Sequence, residues 1–160
     1  MMKLFTFMAV VLIGTASSAQ TNIKLGGISA DPSSAVEVSA DNLNVDQDTG
    51  TAVFSGNVVI GQGDLRLSAG SVRVIYSDAT GDIAQLLASG GVTFVTSTEA
   101  AEASEADYNL STGILVLSGN VLLTQGASAL SAEKMTVNLN SGNAQMSGRV
   151  RTVFQQDGNN

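Results

Sequence analysis

Four ten-residue stretches share one polarity pattern around a Ser-Gly pair: TAVFSGNVVI (51–60), QLLASGGVTF (85–94), ILVLSGNVLL (114–123) and NAQMSGRVRT (143–152). Positions two and four from that glycine, on either side, are Ala52, Phe54, Val58 and Ile60 in the first stretch. The second gives Leu86, Ala88, Val92 and Phe94, and the third Leu115, Leu117, Val121 and Leu123. The fourth gives Ala144, Met146, Val150 and Thr152, of which only Thr152 is not apolar. The residues adjoining the glycine are Ser55 and Asn57, Ser89 and Gly91, Ser118 and Asn120, Ser147 and Arg149, none of them apolar. A period of two predicts strands with one face toward a core and one toward solvent.

Each stretch is preceded by a turn-like Thr-Gly or Ser-Gly, ending at Gly50, Gly81, Gly113 and Gly142. Successive intervals of 31, 32 and 29 residues mark a repeated supersecondary unit. A second half-motif places Ala40, Ala103 and Ala132 ten residues before the turn glycine. From Ala69 the interval is two residues longer, which predicts a longer hairpin turn there. Along this arm the apolar phase slips: Val36 and Val38 precede Ala40 by even steps, while Leu43 and Val45 follow by odd ones. A slip of one residue sends side chains to the wrong face unless a bulge restores them, so a bulge is expected at Ser-Ala. Each repeat then lays about four short strands broken by corners, and two folded sheets with one apolar side make a jelly-roll-like sandwich or trough. A right-handed parallel β-helix, whose rungs also repeat with Gly and Asn at corners, competes with that reading.

The first residues stand apart from the repeats. Lys3, the apolar run LFTFMAVVLIGT (4–15) and the small residues of Ala16-Ser17-Ser18-Ala19 form the layout of a secretory leader cut after Ala19. The run is shorter than a membrane-spanning helix requires. Removing residues 1–19 takes one of seven bases and none of fourteen acids, leaving a net charge of −8. Such a balance excludes nucleic acid as an expected partner and gives no basic footing on an anionic membrane. Without cysteine the exported domain is held by its core alone, and without histidine it lacks the commonest general base and metal ligand.

No motif supplies chemistry in their place. Asp46, Asp48 and Gly50 echo the start of a calcium loop but lack its remaining oxygen ligands, and Asp before Thr-Gly is an ordinary turn former. Glu99, Glu102, Glu105 and Asp107 sit among alanines with no aromatic sugar platform, and read as a solvated edge. Neither catalytic residues, nor metal ligands, nor a cofactor are expected; the chain reads as a binding protein.

The segments VEVSADNLNVDQDTGTAVFSGNVVIGQGDLRLSAGSVRVIY (36–76) and EADYNLSTGILVLSGNVLLTQGASALSAEKMTVNLNSG (105–142) resemble the OstA-like family. The resemblance spans residues 36–154 and implies an all-β, antiparallel β-jelly roll, a folded, open-ended sandwich built from about four short-strand repeats. It frames a leader at 1–19, a flexible segment at 20–35 and a flexible tail at 155–160. It implies lipopolysaccharide as cargo, held by its lipid A acyl chains in an apolar interior in the periplasm. It further implies head-to-tail self-assembly, reaching from an inner-membrane bitopic transport component to the N-terminal domain of an outer-membrane translocon.

Val36, Val38, Phe94 and Tyr108 match interior-lining positions of the family, and Phe54, Leu117, Val121, Val137 and Leu139 join them by alternation. The stretches 36–45 and 144–154 are the expected docking edges, because an unclosed sandwich leaves unpaired backbone at both ends. Two other readings stand beside this one. A relative in the same pathway would keep residues 4–16 as an inner-membrane tether, and a secreted β-helix-like structural repeat would carry no lipid.

Overall fold

Val, Leu and Ile alternate with Ser, Thr, Asn and Gly along most of the chain, a composition that favours a pleated, half-buried strand. A computed structural model describes residues 21–24 and 33–154, and every regular element among them is a strand. The expected leader and tail lie outside the described residues. Within 20–35 the structure describes one short strand, β1 (Thr21–Lys24). It is followed by β2 (Glu37–Ser39), β3 (Asn42–Asp46), β4 (Thr51–Gln62), β5 (Leu65–Tyr76) and β6 (Ile83–Val95). Then come β7 (Glu99–Asn109), β8 (Ile114–Gln125), β9 (Ser128–Asn138), β10 (Asn143–Ser147) and β11 (Arg151–Val153).

All pairings are antiparallel, in the order β1-β10-β9-β8-β7-β6-β5-β4-β2, with β3 also beside β4 and β11 beside β9. This meander replaces the parallel β-helix alternative. The expected short strands are instead long and bent: β4 to β9 run 11 to 13 residues each, because the ladder continues on both sides of every corner. The long turn expected after Ala69 is present, with six residues (77–82) between β5 and β6 against four (110–113) between β7 and β8.

The corner geometry corrects one detail. The extra residue lies on the Ser-Gly strand, not at Ser-Ala. Between Ser55 and Val58 β4 takes three steps while β5 takes two, from Ser71 to Ala69. The same imbalance recurs at Ser89/Val92 of β6 and Ser118/Val121 of β8. At each corner the glycine and the residue after it both have positive φ: Gly56 and Asn57 at 79° and 47°, Gly119 and Asn120 at 81° and 49°. A bulge of this kind bends its strand and adds twist. Corners in adjacent strands align, so the whole sheet creases along one line into two facing leaves. The first leaf holds the pre-corner halves of β4, β6 and β8, the later halves of β5, β7 and β9, and β1, β3 and β10. The second leaf holds the remaining halves with β2 and β11.

Three of the turns that rim the first leaf share a local device. Asp46 Oδ1 accepts from the amides of Asp48 and Thr49 at 2.9 and 3.2 Å, Asn109 Oδ1 from Thr112 at 3.0 Å, and Asn138 Oδ1 from Asn140 and Ser141 at 3.0 and 3.1 Å. Those two amides, with the Thr49 hydroxyl, hold the Asp46 carboxyl below its ordinary range. The Asp46 carboxylate of DQDTG thus serves the turn.

One apolar cluster fills the space between the leaves. The pattern positions Ala52, Val58, Ile60, Leu86, Ala88, Val92, Phe94, Leu115, Leu117, Val121, Leu123, Ala144 and Met146 are all buried in it. Phe54 is half-buried, while Val150 and Thr152 are exposed. Leu43 and Val45, paired with Phe54 and Ala52 on the inner face, are 55% and 57% exposed. These exceptions share one cause. They sit at the two ends of the sandwich, where no strand follows to cover them.

Candidate lipid-binding interior

Each bent strand gives both leaves inward side chains two residues apart. From the second leaf come Val121 and Phe94, and from the first Leu117, Val137 and Tyr108, with Leu139 just beyond β9. Phe94, Leu117 and Val137 are fully enclosed, Val121 and Leu139 nearly so, and Tyr108 is buried with its hydroxyl group bonded. Val36, Val38 and Phe54 are half-buried and pack against the same cluster from the β2–β4 end. The structure therefore brings all nine sequence-derived positions to one apolar body. Six lie in its middle and three at one open end. Side chains from the two leaves meet there, so the interior of this conformation is filled by the protein's own residues.

Polar residues edge the cluster opposite the crease. Gln62, Thr96 and Glu99 are buried, and each is satisfied. The Tyr108 hydroxyl donates to Gln62 Oε1 at 3.2 Å, linking the first leaf to the second, and Gln62 Nε2 donates to the Ser34 carbonyl at 3.3 Å. Glu99 Oε2 accepts from the Thr96 and Thr98 hydroxyls at 2.9 and 2.7 Å, and Glu99 Oε1 from Gln125 Nε2 at 2.9 Å. Among the described residues no buried side-chain nitrogen or oxygen lacks a partner. Burial pushes the Tyr108 phenol above its ordinary 10.0.

Sequence reasoning missed this rim, although its signal was present. Alternation from each corner glycine continues one step past the apolar pair: Val58, Ile60, Gln62; Val92, Phe94, Thr96; Val121, Leu123, Gln125. The sixth position is inward like the second and fourth, but polar. Glu99, expected on a solvated edge with Glu102 and Glu105, is 3% exposed, while the other two face solvent. Asp107 is half-buried and accepts from Gln85 Nε2 at 2.7 Å. The four acids therefore do not converge.

The arrangement is a filled hydrophobic interior between two leaves, with a hydrogen-bonded lip and exposed apolar residues at its ends. It suits non-covalent contact with hydrocarbon, which is non-directional and scales with buried apolar area.

Comparison with known proteins agrees with this geometry. The fold is similar to that in the crystal structure of LptH, the LptA-homologous periplasmic component of the lipopolysaccharide transport device of Pseudomonas aeruginosa. The TM-score is 0.71 at 19% identity, covering 79% of this chain and 99% of that one. No curated protein matches the chain by sequence. A family model described as LptA/(LptD N-terminal domain) LPS transport protein matches residues 37–143, as the Ser-Gly-Asn-Val repeats implied. The chain therefore belongs to the LptA/LptD N-terminal-domain family, whose members transport lipopolysaccharide and are not enzymes.

Proposed function

We propose that this protein carries lipopolysaccharide across the periplasm, holding lipid A acyl chains between the two leaves. The observation that carries this reading is one apolar cluster, with the half-buried Phe54 packed against it beside the exposed Leu43 and Val45 at one end and the exposed Val150 at the other. A sealed core has no such ends. Acyl chains enter by parting the leaves at the polar lip, where Tyr108 and Gln62 close the gap with a single hydrogen bond. Each methylene removed from water contributes about 0.8 kcal/mol, so part of one acyl chain supplies several kcal/mol without any charge pairing. A net-acidic carrier is thereby able to hold an anionic glycolipid by its tails.

Copies join head to tail. The β2/β3 end of one molecule meets the β10/β11 end of the next, and strand addition extends both leaves. The exposed Leu43 and Val45 of one copy and Phe154 of the other, which is 73% exposed, are covered in the joint. The resulting bridge runs from the inner-membrane bitopic component to the outer-membrane translocon's N-terminal domain, with the leader removed after Ala19.

A photo-reactive residue at Phe94 or Tyr108, activated in cells, is expected to give a lipopolysaccharide adduct. The same residue at the outward-facing Thr93 is expected to give none. Equal yields at the inward and outward positions, or none at either, would remove the carrier reading.

A further inference from the structure

β1 occupies a place that the repeat reserves for another strand. It pairs with the outer side of β10 in the register Thr21 to Met146, Asn22 to Gln145, Ile23 to Ala144 and Lys24 to Asn143. Met146 stands two residues before the corner glycine Gly148, as Phe54 stands two before Gly56. Beside Phe54 lies β3, in the register Leu43 to Phe54, Asn44 to Val53, Val45 to Ala52 and Asp46 to Thr51. β3 lies on the side of β4 that β9 takes on β10, so superposing the repeats on their corners sets LNVD (43–46) on MTVN (135–138) of β9, with Val on Val. On the other side of a corner strand, β9 lies beside β8 in the register that β1 takes beside β10, with Met135 opposite Leu117 and Val137 opposite Leu115, so a β3 set in that place overlies β1, Asn44 on Asn22 and Val45 on Ile23.

The next strand after β10 in an extended sheet is the β3 of a second copy. One edge cannot pair with both. We infer that β1 is a built-in cap on the β10 edge, mimicking the incoming β3 and displaced by it when a second copy docks. The inference rests on the head-to-tail assembly proposed above. It divides docking into two steps, because β11, on the other leaf, pairs only with β9 among the described strands. The incoming β2 pairs with β11 first, and strand exchange at β10 completes the joint. A strand belonging to the same chain competes at an effective rather than a bulk concentration, so free copies remain monomeric until they are concentrated or prealigned. A competitor that occupies the acceptor edge raises the apparent dissociation constant by the inverse of the open fraction.

The test is sedimentation velocity over a concentration series with three chains: one starting at Gln20, one starting at Leu25, and the full-length mature chain carrying Asn22→Cys and Gln145→Cys. The protein has no cysteine, so the disulfide can form only between β1 and β10. The chain lacking β1 is expected to reach half-assembly at about tenfold lower concentration. The oxidised double variant is expected to stay monomeric and to assemble once reduced. If all three assemble alike, the cap is refuted while the head-to-tail joint stands. If none assembles at any concentration, the joint fails and the cap with it. Should the shortened chain lose its fold by circular dichroism, the oxidised and reduced forms of the double variant decide alone.

Discussion

Ser104 fills the space that a side chain on Gly119 would need: its hydroxyl donates to the Gly119 carbonyl at 3.2 Å, and its Cβ lies 2.7 Å from where a Cβ on Gly119 would be. The same crossing joins Asp41 to Gly56 and Glu133 to Gly148, through the Asp41 amide on the Gly56 carbonyl and the Glu133 amide on the Gly148 carbonyl, both at 2.9 Å. The residues after Ala40, Ala103 and Ala132 thus fasten the Ser-Gly corners opposite them. Gly119→Ala meets both this clash and a φ of 81°, and is expected to lower stability by about 1–3 kcal/mol. Urea unfolding of the purified variant measures it.

Gly91→Asn is expected to do the opposite of its neighbour in kind. The equivalent positions carry Asn57, Asn120 and Arg149 at φ between 46° and 49°, and nothing lies within 4 Å of a Cβ on Gly91. Asn tolerates the left-handed region, so the change should stay within about 0.5 kcal/mol of the parent in the same urea assay. A loss as large as that of Gly119→Ala would show that the second corner differs from the rest.

Tyr108 makes stability depend on alkaline pH. Its folded pKa is raised above 10.0 by burial, so the folded chain keeps a proton that the unfolded chain releases. The contribution is whole below about pH 10 and is lost as pH rises through the folded value. Tyr108→Phe removes that slope and, by deleting the bond to Gln62, costs about 1 kcal/mol at neutral pH. Thermal melts of both proteins from about pH 8 to 11 are the measurement, and parallel curves would contradict the assignment.

Interior and end residues separate fold from assembly. Phe94 is enclosed on all sides, and Phe94→Ala is expected to cost about 3–5 kcal/mol. Leu43 is 55% exposed at the edge strand, so Leu43→Asp should leave the melting temperature nearly unchanged while suppressing head-to-tail association. Circular dichroism melts beside a light-scattering titration distinguish the two outcomes.

Much of this architecture is legible in the sequence because each corner repeats the same local demand. A glycine followed by Asn, Gly or Arg, flanked by apolar residues at even offsets, defines both the bend and the inward face without reference to distant contacts. Three things escaped. The bulge was assigned to Ser-Ala, because the apolar phase slips visibly on that arm, whereas its partner absorbs the extra residue without changing parity. The lip of Gln62, Thr96 and Glu99 escaped because a search for apolar alternation ends where polar residues keep the same phase. β1 escaped because four residues are too few to carry a pattern; only the register shows that they stand beside β10 as β9 stands beside β8.

Since the crease is set in the backbone at each corner, the cross-section of the trough does not depend on how many units are laid side by side. Duplicating one unit of two bent strands would lengthen the sandwich by about 10 Å at the usual strand spacing, leaving both termini as they are. Span across a gap is then adjustable in units within a single gene as well as by adding molecules.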